Sequence, residues 1–527
     1  MYRYLPVKLP PVITILLLSV AGVLVFFLSQ SHQGLSMLDE GYLWYGAQRV
    51  IAGEVPIRDF MAYDIGRYYW SAAFMGLLGD TGIVALRAAS AVFQAIALFI
   101  GVALLARSNS NQNRFFWILA WITLAVWMAQ QFRVYDISLP ILLVGALTYL
   151  LEQPSSRRYL LSGLIVGLVA VFGRNHGMYG VTGSLSIMLY LTIKREGGPS
   201  LITAFSSWAL GVVIGYLPVL VFLAVVPGFA LAYWESIRFL FEIKATNLSL
   251  PVPWPWLVPF GQMSGFNAVR GVLVGIFFIA IVVFGLLGIV WVIRCRIQGK
   301  SVSPMLTASV FLALPYAHYA YSRADISHLA PGVPPFLMGI LALLAIQPAK
   351  IKWPFAALLC GASLWVMLPA YPGWFCYSSQ QCVELNVAGD KLNIDRETAS
   401  NLTALNKLAE QFAPGDRTFI AAPFWPGAYA ALGRKSPMWE IYVLFPQRSI
   451  AFQLAEIERI KAANPGFAVI HDFPLDGRDD LRFRNSRPIV DQYIRDNFER
   501  LNNLAGNPAF QIYRSKPAEQ QDGTITR

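Results

Sequence analysis

Charged residues are scarce in this chain, and their scarcity excludes a large class of proteins. Asp, Glu, Lys and Arg make up only 13% of the 527 residues, whereas hydrophobic residues make up 56%. Soluble domains contain about 25% charged residues. The chain is therefore not one large soluble globule, and its composition indicates a polytopic membrane protein.

The sequence also lacks the short motifs that mark several function classes. It contains no P-loop, no G-x-G-x-x-G after a predicted strand and no zinc-finger cysteine spacing, so nothing indicates those nucleotide or zinc sites. The net charge is +11, but the chain contains no run of basic residues. Nucleic-acid binding is therefore not expected.

Cysteine is rare as well, with four residues in the whole chain. Cys376 and Cys382 flank a short loop in the segment CYSSQQC. A disulfide between them is expected only if this loop lies outside the cytoplasm. The spacing alone cannot fix the geometry, so the sequence leaves the pairing open.

Long apolar runs are abundant, and each run of roughly 20 residues predicts a membrane-spanning helix. The first run follows a basic lead like that of a signal peptide. No A-x-A-like cleavage site follows it, so we expect an uncleaved span. Hydropathy predicts about 11 spans, at 10–29, 81–106, 114–130, 138–151, 159–173, 177–193, 202–225, 268–293, 304–320, 327–346 and 353–370.

The distribution of charge predicts the orientation of these spans. If the N-terminus is cytoplasmic, the loops that face inward hold 13 basic and two acidic residues, an excess equal to the net charge of +11. The positive-inside rule then places the loop 35–70 on the outer face. We therefore predict a multi-pass protein of the cytoplasmic (inner) membrane, with a cytoplasmic N-terminus and a periplasmic or extracellular C-terminal domain.

The composition changes near residue 371, and three regions are predicted: a transmembrane domain at 1–370, an α/β domain at 371–515 and a disordered tail at 516–527. Helices and strands alternate in the α/β domain, as they do in layered α/β folds. The predicted helices are at 398–416, 449–466 and 489–501, and the predicted strands are at 417–423, 467–473 and 510–515.

The first outer loop carries the strongest chemical signal. A helix is predicted from Asp39 to Ala52, and Ser36 stands at a spacing like that of a capping box. Asp39 and Glu40 occupy the first turn, where the helix dipole favours ionised carboxylates. Such a carboxylate could accept a proton from an attacking hydroxyl, or the two acids could merely cap a surface helix. Aromatic residues suggest that the helix lies in the membrane interface, namely Tyr42, Trp44 and Tyr45.

Other outer turns add guanidinium and carboxylate groups at the membrane edge, where ionisable residues are paired or functional. Arginines suit a phosphate, and a carboxylate suits an acceptor hydroxyl; structural ion pairs are the alternative. The predicted phosphate-binding residues are Arg58, Arg133, Arg174 and Arg323. The predicted acceptor-binding or second acidic residues are Asp59, Asp64, Asp136, His176, Asp325 and His328.

The remaining signals leave two questions open. No two histidines have the i,i+4 spacing of metal ligands, so no cofactor is assigned, although a divalent cation held by Asp and Glu stays open. The aromatic and proline-rich segment 226–265, which includes Lys244, predicts either an interfacial cover over a lipid or sugar groove or a structural re-entrant loop.

Two segments resemble a known family. LDEGYLWYGAQRVIAGEVPIRDF, after the first span, and SRADISHLAP, before a late span, resemble parts of GT-C glycosyltransferases. The likeness is to bacterial relatives of the protein O-mannosyltransferases and of the transferase that adds aminoarabinose to lipid A. The resemblance implies a polyprenyl-phosphate sugar donor and assigns the catalytic carboxylate to Asp39. Glu40 is its neighbour, and Asp136 is the match for a second acid.

These observations lead to one hypothesis and three rivals. In the hypothesis, a hexosyl- or pentosyltransferase moves a sugar to a lipid, glycan or protein acceptor in one inverting displacement. Asp39 removes the proton of the acceptor hydroxyl, and arginines such as Arg174 and Arg323 stabilise the leaving phosphate. The rivals are a transporter or flippase of lipid-linked sugars, a polysaccharide ligase or polymerase, and a non-catalytic scaffold.

Overall fold

The computed structural model describes eight stretches of the chain, 12–108, 113–128, 131–194, 197–243, 247–378, 381–445, 448–501 and 510–516. Residues 517–527 of the predicted disordered tail lie outside the described residues. Lys244 of the proline-rich segment lies outside them too.

Helices dominate the chain. They are α1 Val12–Gln30, α2 Asp39–Ile51, α3 Ile65–Leu78, α4 Ile83–Ser108, α5 Arg114–Val126, α6 Val134–Glu152, α7 Ser156–Phe172, α8 Arg174–Thr192, α9 Leu201–Gly215, α10 Leu217–Val225, α11 Phe229–Ile243, α12 Gly265–Ile297, α13 Pro304–Ser322, α14 Ile326–Gly332, α15 Pro334–Ala345, α16 Ala349–Met367, α17 Pro372–Ser378, α18 Arg396–Phe412, α19 Pro426–Ala431, α20 Ile450–Ala463, α21 Phe483–Ser486 and α22 Pro488–Asn497. The strands are β1 Cys382–Val387, β2 Asp390–Asp395, β3 Ile420–Ala422, β4 Phe467–His471, β5 Phe498–Leu501 and β6 Phe510–Ser515.

The chain forms two compact units. The first, here called the transmembrane unit, comprises Met1–Gln30, Asp64–Gly66 and Arg87–Phe375. The second, here called the α/β unit, comprises Ser31–Tyr63, Arg67–Leu86 and Cys376–Arg527. The α/β unit therefore contains most of the first loop as well as the C-terminal segment, and the predicted domain limits at 370 and 515 stay predictions.

The apolar helices are those of a multi-pass membrane protein. Among the described residues, α1, α4, α6, α12 and α16 are long and apolar enough to cross a membrane. Two bent pairs, α9 with α10 at 57° and α14 with α15 at 49°, raise the number to seven if each pair is one span. The predicted count of eleven stays a prediction. Of the other predicted spans, α7 has only 17 residues, and α8 and α13 carry polar side chains such as His176 and His318.

Helices α6 and α13 form the centre of the transmembrane unit. Most residues of both helices are buried, because α13 packs against α6, α8, α12 and α15, while α6 also packs against α7. Helices α7 and α9 of the same unit approach each other closely because small residues lie between them, as is usual between membrane helices. A Cβ at Gly163 of α7 or at Gly211 of α9 would collide with the carbonyl oxygen of Trp208 or of Leu160, respectively.

The α/β unit contains two sheets. Strands β1 and β2 form an antiparallel hairpin, and the other four form a sheet in the order β3-β4-β6-β5. Strand β3 runs parallel to β4, whereas β6 is antiparallel to β4 and β5. One face of this sheet buries apolar side chains against α20 and α22, including Ile420, Ile457, Ile470, Ile494 and Tyr513.

The structure agrees with most of the secondary structure predicted for the C-terminal segment. Helices α18 and α20 and strands β3, β4 and β6 lie where the alternating pattern placed them. The predicted helix at 489–501 is wrong in its last turn, because Phe498–Leu501 forms β5 and pairs with β6. The hairpin of β1 and β2 was not predicted. The structure contains the disulfide between Cys376 and Cys382 that the sequence left open.

The aromatic residues of α2 are not at a lipid surface, so that expectation was wrong. Trp44 is fully buried, and its indole nitrogen donates a hydrogen bond to Thr81 O at 2.7 Å. The Tyr45 hydroxyl accepts a hydrogen bond from Ser436 N at 3.0 Å. Tyr42 is also buried, among other tyrosines. These side chains therefore join α2 to the core of the α/β unit.

Candidate active site

Asp39 and Glu40 begin α2 in the α/β unit, where they have different surroundings. Glu40 is buried, and its Oε2 accepts a hydrogen bond from Ser36 N at 3.4 Å. Asp39 is half-buried, and its Oδ1 accepts a hydrogen bond from the Tyr442 hydroxyl at 3.0 Å. Of the two acids, Asp39 is therefore the one more accessible to a substrate.

The start of α2 differs from the predicted capping box. Leu38 occupies the N-cap position and makes no side-chain cap, so the expected capping role of the Ser36 side chain is wrong. The backbone of Ser36 is used instead, since its carbonyl oxygen accepts a hydrogen bond from Gly41 N at 2.9 Å. Glu40 thus fixes the entry to the helix through the backbone rather than through a hydroxyl.

Arg58 and Asp59 form a bidentate pair in the same unit. Arg58 Nε and Nη2 each lie 2.8 Å from an oxygen of Asp59, and Val55 N also donates to Asp59 Oδ2 at 2.8 Å. The hydrogen bonds from Arg58 outweigh burial and lower the pKa of Asp59. This pair stabilises the turn after α2, and the phosphate role predicted for Arg58 stays a prediction.

In the transmembrane unit, Arg174 and Asp64 form a second ion pair. Arg174 Nε lies 2.6 Å from Asp64 Oδ1, and the backbone nitrogen of Arg174 donates to Asp64 Oδ2 at 2.9 Å. Helix α11 adds two contacts, because Arg174 Nη1 donates to Ser236 Oγ at 2.9 Å and the guanidinium lies over the Tyr233 ring. Arg174 is therefore held at the N-terminus of α8 by a carboxylate and by the proline-rich segment.

His176, in the first turn of α8, links the two central helices α6 and α13 of this unit. Its Nε2 lies 3.2 Å from Asp136 Oδ1, and its Nδ1 lies 2.9 Å from the Tyr316 hydroxyl. Because an ionised carboxylate only accepts hydrogen bonds, His176 Nε2 is the donor to Asp136. All three side chains are buried. Arg133 Nη1 lies 3.7 Å from Asp136 Oδ2.

A similar arrangement surrounds His328 at the start of α14. Its Nδ1 lies 2.8 Å from Asp325 Oδ1, and its Nε2 lies 2.6 Å from the amide nitrogen of Asn247. Arg323 Nε donates to Asp325 Oδ2 at 2.8 Å. Asp325 is the N-cap of α14, since it also accepts from His328 N. The SRADISHLAP turn is thus an ordered anion–cation cluster.

Tyr319 connects these two histidine groups. Its ring lies 5.1 Å from the His176 ring and 5.9 Å from the His328 ring, measured between centroids. Arg133 Nη1 lies 3.4 Å from its hydroxyl. Six predicted residues therefore form one polar cluster in the transmembrane unit, namely Arg133, Asp136, His176, Arg323, Asp325 and His328.

Sequence reasoning missed several partners of the predicted residues. Tyr316 and Tyr319 lie on the apolar helix α13. In such a helix the sequence does not distinguish a tyrosine that contacts a polar site from a tyrosine that only packs. Tyr442 lies in the α/β unit, 403 residues from its partner Asp39. Asn247 lies within the proline-rich segment 226–265, where a polar residue between two apolar stretches is a signal that could have indicated it.

The described residues offer no clear metal centre. No group of three or more His, Cys, Asp or Glu side chains among them is arranged to hold a metal ion. The aspartates of the candidate site instead accept hydrogen bonds from arginine, histidine, tyrosine or backbone groups. Guanidinium groups of this kind can bind an anion, and carboxylates can accept a proton.

This chain matches known proteins in its structure but not in its sequence. No protein-family model and no curated protein sequence matches it. The chain is similar to ArnT from Cupriavidus metallidurans, both bound to undecaprenyl phosphate and in the apo state. Sequence identity is 12% in both cases, and the TM-scores are 0.53 and 0.54. The alignment with the bound structure covers 95% of this chain and 98% of ArnT. The alignment with the apo structure covers 96% of this chain and 99% of ArnT.

These neighbours confirm the resemblance to GT-C glycosyltransferases at the level of the fold. A third structure, the oligosaccharyltransferase of Archaeoglobus fulgidus tethered with an acceptor peptide, aligns at 12% identity with a TM-score of 0.46. That alignment covers 97% of this chain and 75% of the oligosaccharyltransferase. This chain combines apolar helices long enough to cross a membrane with a smaller unit of mixed helices and strands.

Proposed function

We propose that this chain is a membrane glycosyltransferase that takes its sugar from a polyprenyl-phosphate donor. The observation that carries the proposal is the fold shared over 95% of the chain with ArnT, whose crystal structure contains undecaprenyl phosphate. The ordered arginine, histidine and aspartate cluster of the transmembrane unit supports it. Such groups at a membrane edge suit a ligand that has an apolar chain and an anionic head.

Arg174, Arg323 and Arg133 are the proposed ligands of the donor phosphate. Guanidinium groups bind phosphate through charge-assisted hydrogen bonds with fixed geometry. Arg174 and Arg323 each contact an aspartate at 2.6 Å and 2.8 Å, respectively. These carboxylates hold the guanidinium planes before the donor arrives, so the donor phosphate binds to an ordered set of donors.

The proposed reaction is a single inverting displacement at the anomeric carbon. Asp39 accepts the proton of the acceptor hydroxyl while that oxygen forms a bond to the sugar. The bond between the anomeric carbon and the phosphate oxygen breaks, and the polyprenyl phosphate leaves with the electron pair. Arginine side chains stabilise the negative charge on the leaving phosphate. In this proposal the chain supplies both the base, Asp39, and the arginines that stabilise the leaving phosphate. The displacement changes no oxidation state, so it requires no oxidant or reductant.

The proposed location is the outer face of the cytoplasmic membrane. The excess of basic residues in the alternate loops supports a cytoplasmic N-terminus. The disulfide between Cys376 and Cys382 supports an oxidising compartment for the α/β unit, because disulfides persist outside the cytoplasm. A lipid, a glycan or a protein could each supply the acceptor hydroxyl, and the sugar is a hexose or a pentose.

An assay with purified protein in liposomes tests this function against its rivals. The donors are synthetic prenyl-phosphate hexoses and pentoses, each offered with envelope lipids, glycans or peptides as acceptors. The proposal predicts release of free prenyl phosphate that depends on both donor and acceptor. Movement of intact donor between leaflets without cleavage would favour a flippase. Transfer only of preassembled sugar chains would favour a polysaccharide ligase.

A further inference from the structure

The carboxylate of Asp39 is held by a residue from the far end of the chain. The Tyr442 hydroxyl donates a hydrogen bond to Asp39 Oδ1 at 3.0 Å, across 403 residues of sequence. Among the described residues, no side-chain hydrogen bond to Asp39 Oδ2 is found beside the one from Tyr442 to Oδ1, so Oδ2 is the oxygen that we expect to receive a proton from a substrate hydroxyl. The Tyr442 hydroxyl thus determines which way the carboxylate faces.

Packing fixes the ring of Tyr442. Tyr442 as a whole residue is 8% exposed. The ring of Tyr42, on α2, lies 5.3 Å away, and the ring of Phe424, after β3, lies 5.2 Å away, measured between centroids. Aromatic pairs at these separations stabilise one another beyond the area that they bury. The hydroxyl therefore points at Asp39 without the rotational freedom of an exposed tyrosine.

The backbone around Tyr442 is tied to the first loop as well. Trp439 supplies two of these links, because its indole nitrogen donates to Ile57 O at 3.1 Å and its carbonyl oxygen accepts from Met61 N at 2.9 Å. Val443 N donates to Pro423 O at 3.0 Å. The segment that carries Tyr442 is therefore fixed on both sides of the tyrosine.

A buried ion pair also holds the segment that carries Tyr442. Glu440, two residues before Tyr442, receives hydrogen bonds from Arg487 Nε at 2.6 Å and from Arg487 Nη2 at 2.7 Å, and Arg448 Nε lies 3.1 Å away. Both Glu440 and Arg487 are buried. A buried, bidentate pair of this kind holds its backbone in one geometry more firmly than a surface pair does.

We propose that Tyr442 is a positioning residue for Asp39, so that the C-terminal segment takes part in the transfer reaction. The inference rests on the proposed function of Asp39 as the base. A base that is held in the direction of the attacking hydroxyl needs no reorientation during proton transfer, and misplacement by about 1 Å can lower a rate about 10²-fold. Tyr442 acts on turnover through Asp39 and has no contact with the donor in this assignment.

Tyr442→Phe tests the inference, with Tyr42→Phe as the matched control. Both variants lose one hydroxyl from the same aromatic cluster and keep the ring, but only Tyr442 donates to Asp39. The full-length variants are purified and assayed for kcat, for the donor and acceptor KM and for thermal unfolding. Tyr442→Phe is expected to lower kcat about tenfold or more while both KM values stay at wild type, and Tyr42→Phe is expected to keep the wild-type kcat.

A double-mutant cycle separates positioning from a loss of folded protein. In an Asp39→Glu background the carboxylate is displaced by one methylene group, so Tyr442→Phe should lower kcat by a smaller factor than in wild type. An unchanged kcat in Tyr442→Phe, or an equal loss in Tyr42→Phe, would overturn the inference. If Asp39→Asn is inactive while Tyr442→Phe turns over normally, only this inference fails. If Asp39→Asn turns over normally, the proposed function of Asp39 fails.

Discussion

His176 and Asp136 form a buried pair at the centre of the transmembrane unit, with Nε2 of the histidine 3.2 Å from Oδ1 of the aspartate. The other ring nitrogen of His176, Nδ1, lies 2.9 Å from the Tyr316 hydroxyl. A buried carboxylate is stable only when hydrogen bonds replace its lost hydration. The pair therefore explains how a polar centre persists among apolar helices.

Removal of this histidine should destabilise the chain. In His176→Phe, Asp136 loses a hydrogen-bond partner inside the unit, and the free energy of unfolding should fall by about 1–3 kcal/mol. The matched control is His318→Phe, because His318 is exposed and its ring contacts the hydroxyl of half-buried Tyr179 instead of a buried carboxylate. Thermal unfolding in detergent measures both. Equal stability of the two variants would contradict the structural role of the pair.

Arg174 should contribute to donor binding. Lysine keeps the charge in Arg174→Lys but cannot reproduce the planar fork that contacts both Asp64 and Ser236, so the two residues are not equivalent here. Loss of one charge-assisted hydrogen bond of about 1.5 kcal/mol should raise the donor KM about tenfold. Arg238→Lys is the control, because Arg238 forms an exposed pair with Glu242 on α11. A donor KM in Arg174→Lys equal to that of the control would remove Arg174 from the donor site.

Glu456 predicts how the stability of the α/β unit depends on pH. Burial raises the pKa of Glu456 to about 7, although the charge of Arg459 lowers it. A carboxyl group whose pKa is raised in the folded state contributes most stability below its unfolded pKa, and that contribution is lost as the pH rises through about 7. The unfolding temperature should therefore be lower at a pH above 7 than at a pH below 7.

Glu456→Gln supplies the comparison for this pH dependence. The amide cannot ionise, so the difference in unfolding temperature between the two pH values should be smaller than in wild type. Glu458→Gln, on the exposed side of the same helix, should keep the wild-type difference. An identical pH dependence in Glu456→Gln and wild type would show that this carboxyl group is not the one responsible.

The proposed orientation can be tested with single introduced cysteines. Glu384, on β1, and Lys300, between α12 and α13, are both exposed. A membrane-impermeant maleimide should label Glu384→Cys in intact cells and label Lys300→Cys only after the membrane is permeabilised. The reverse pattern would overturn the assignment of the α/β unit to the outer face.

Local patterns predicted much of the fold. Helix α2 was predicted at Asp39–Ala52 and is found at Asp39–Ile51, because two acids in a first turn are a local signal of a helix start. Strand β6 has its predicted bounds. The β1–β2 hairpin was missed although its alternating pattern and its Ala388–Gly389 turn, with both φ values positive, are local signals of a hairpin.

Contacts between distant segments could not be predicted. Tyr42 and Trp44 suggested a helix in the membrane interface, because the residues that bury them lie elsewhere in the sequence, Tyr442 among them. The end of α22 was overextended because β5 depends on pairing with β6, and not on its own composition. Hydropathy predicts eleven spans, whereas five to seven spans among the described residues are long and apolar enough to cross a membrane, so the count stays a prediction.

Turnover of Asp39→Asn measures the central claim most directly. The variant keeps the size of the side chain and an oxygen that can accept the hydrogen bond from Tyr442, but it cannot act as a base. Glu384→Gln, an acid-to-amide change at an exposed position of the hairpin, is the control. The account predicts that Asp39→Asn binds the prenyl-phosphate donor and unfolds like wild type while kcat falls by about 10²-fold or more. Wild-type kcat in Asp39→Asn would contradict it.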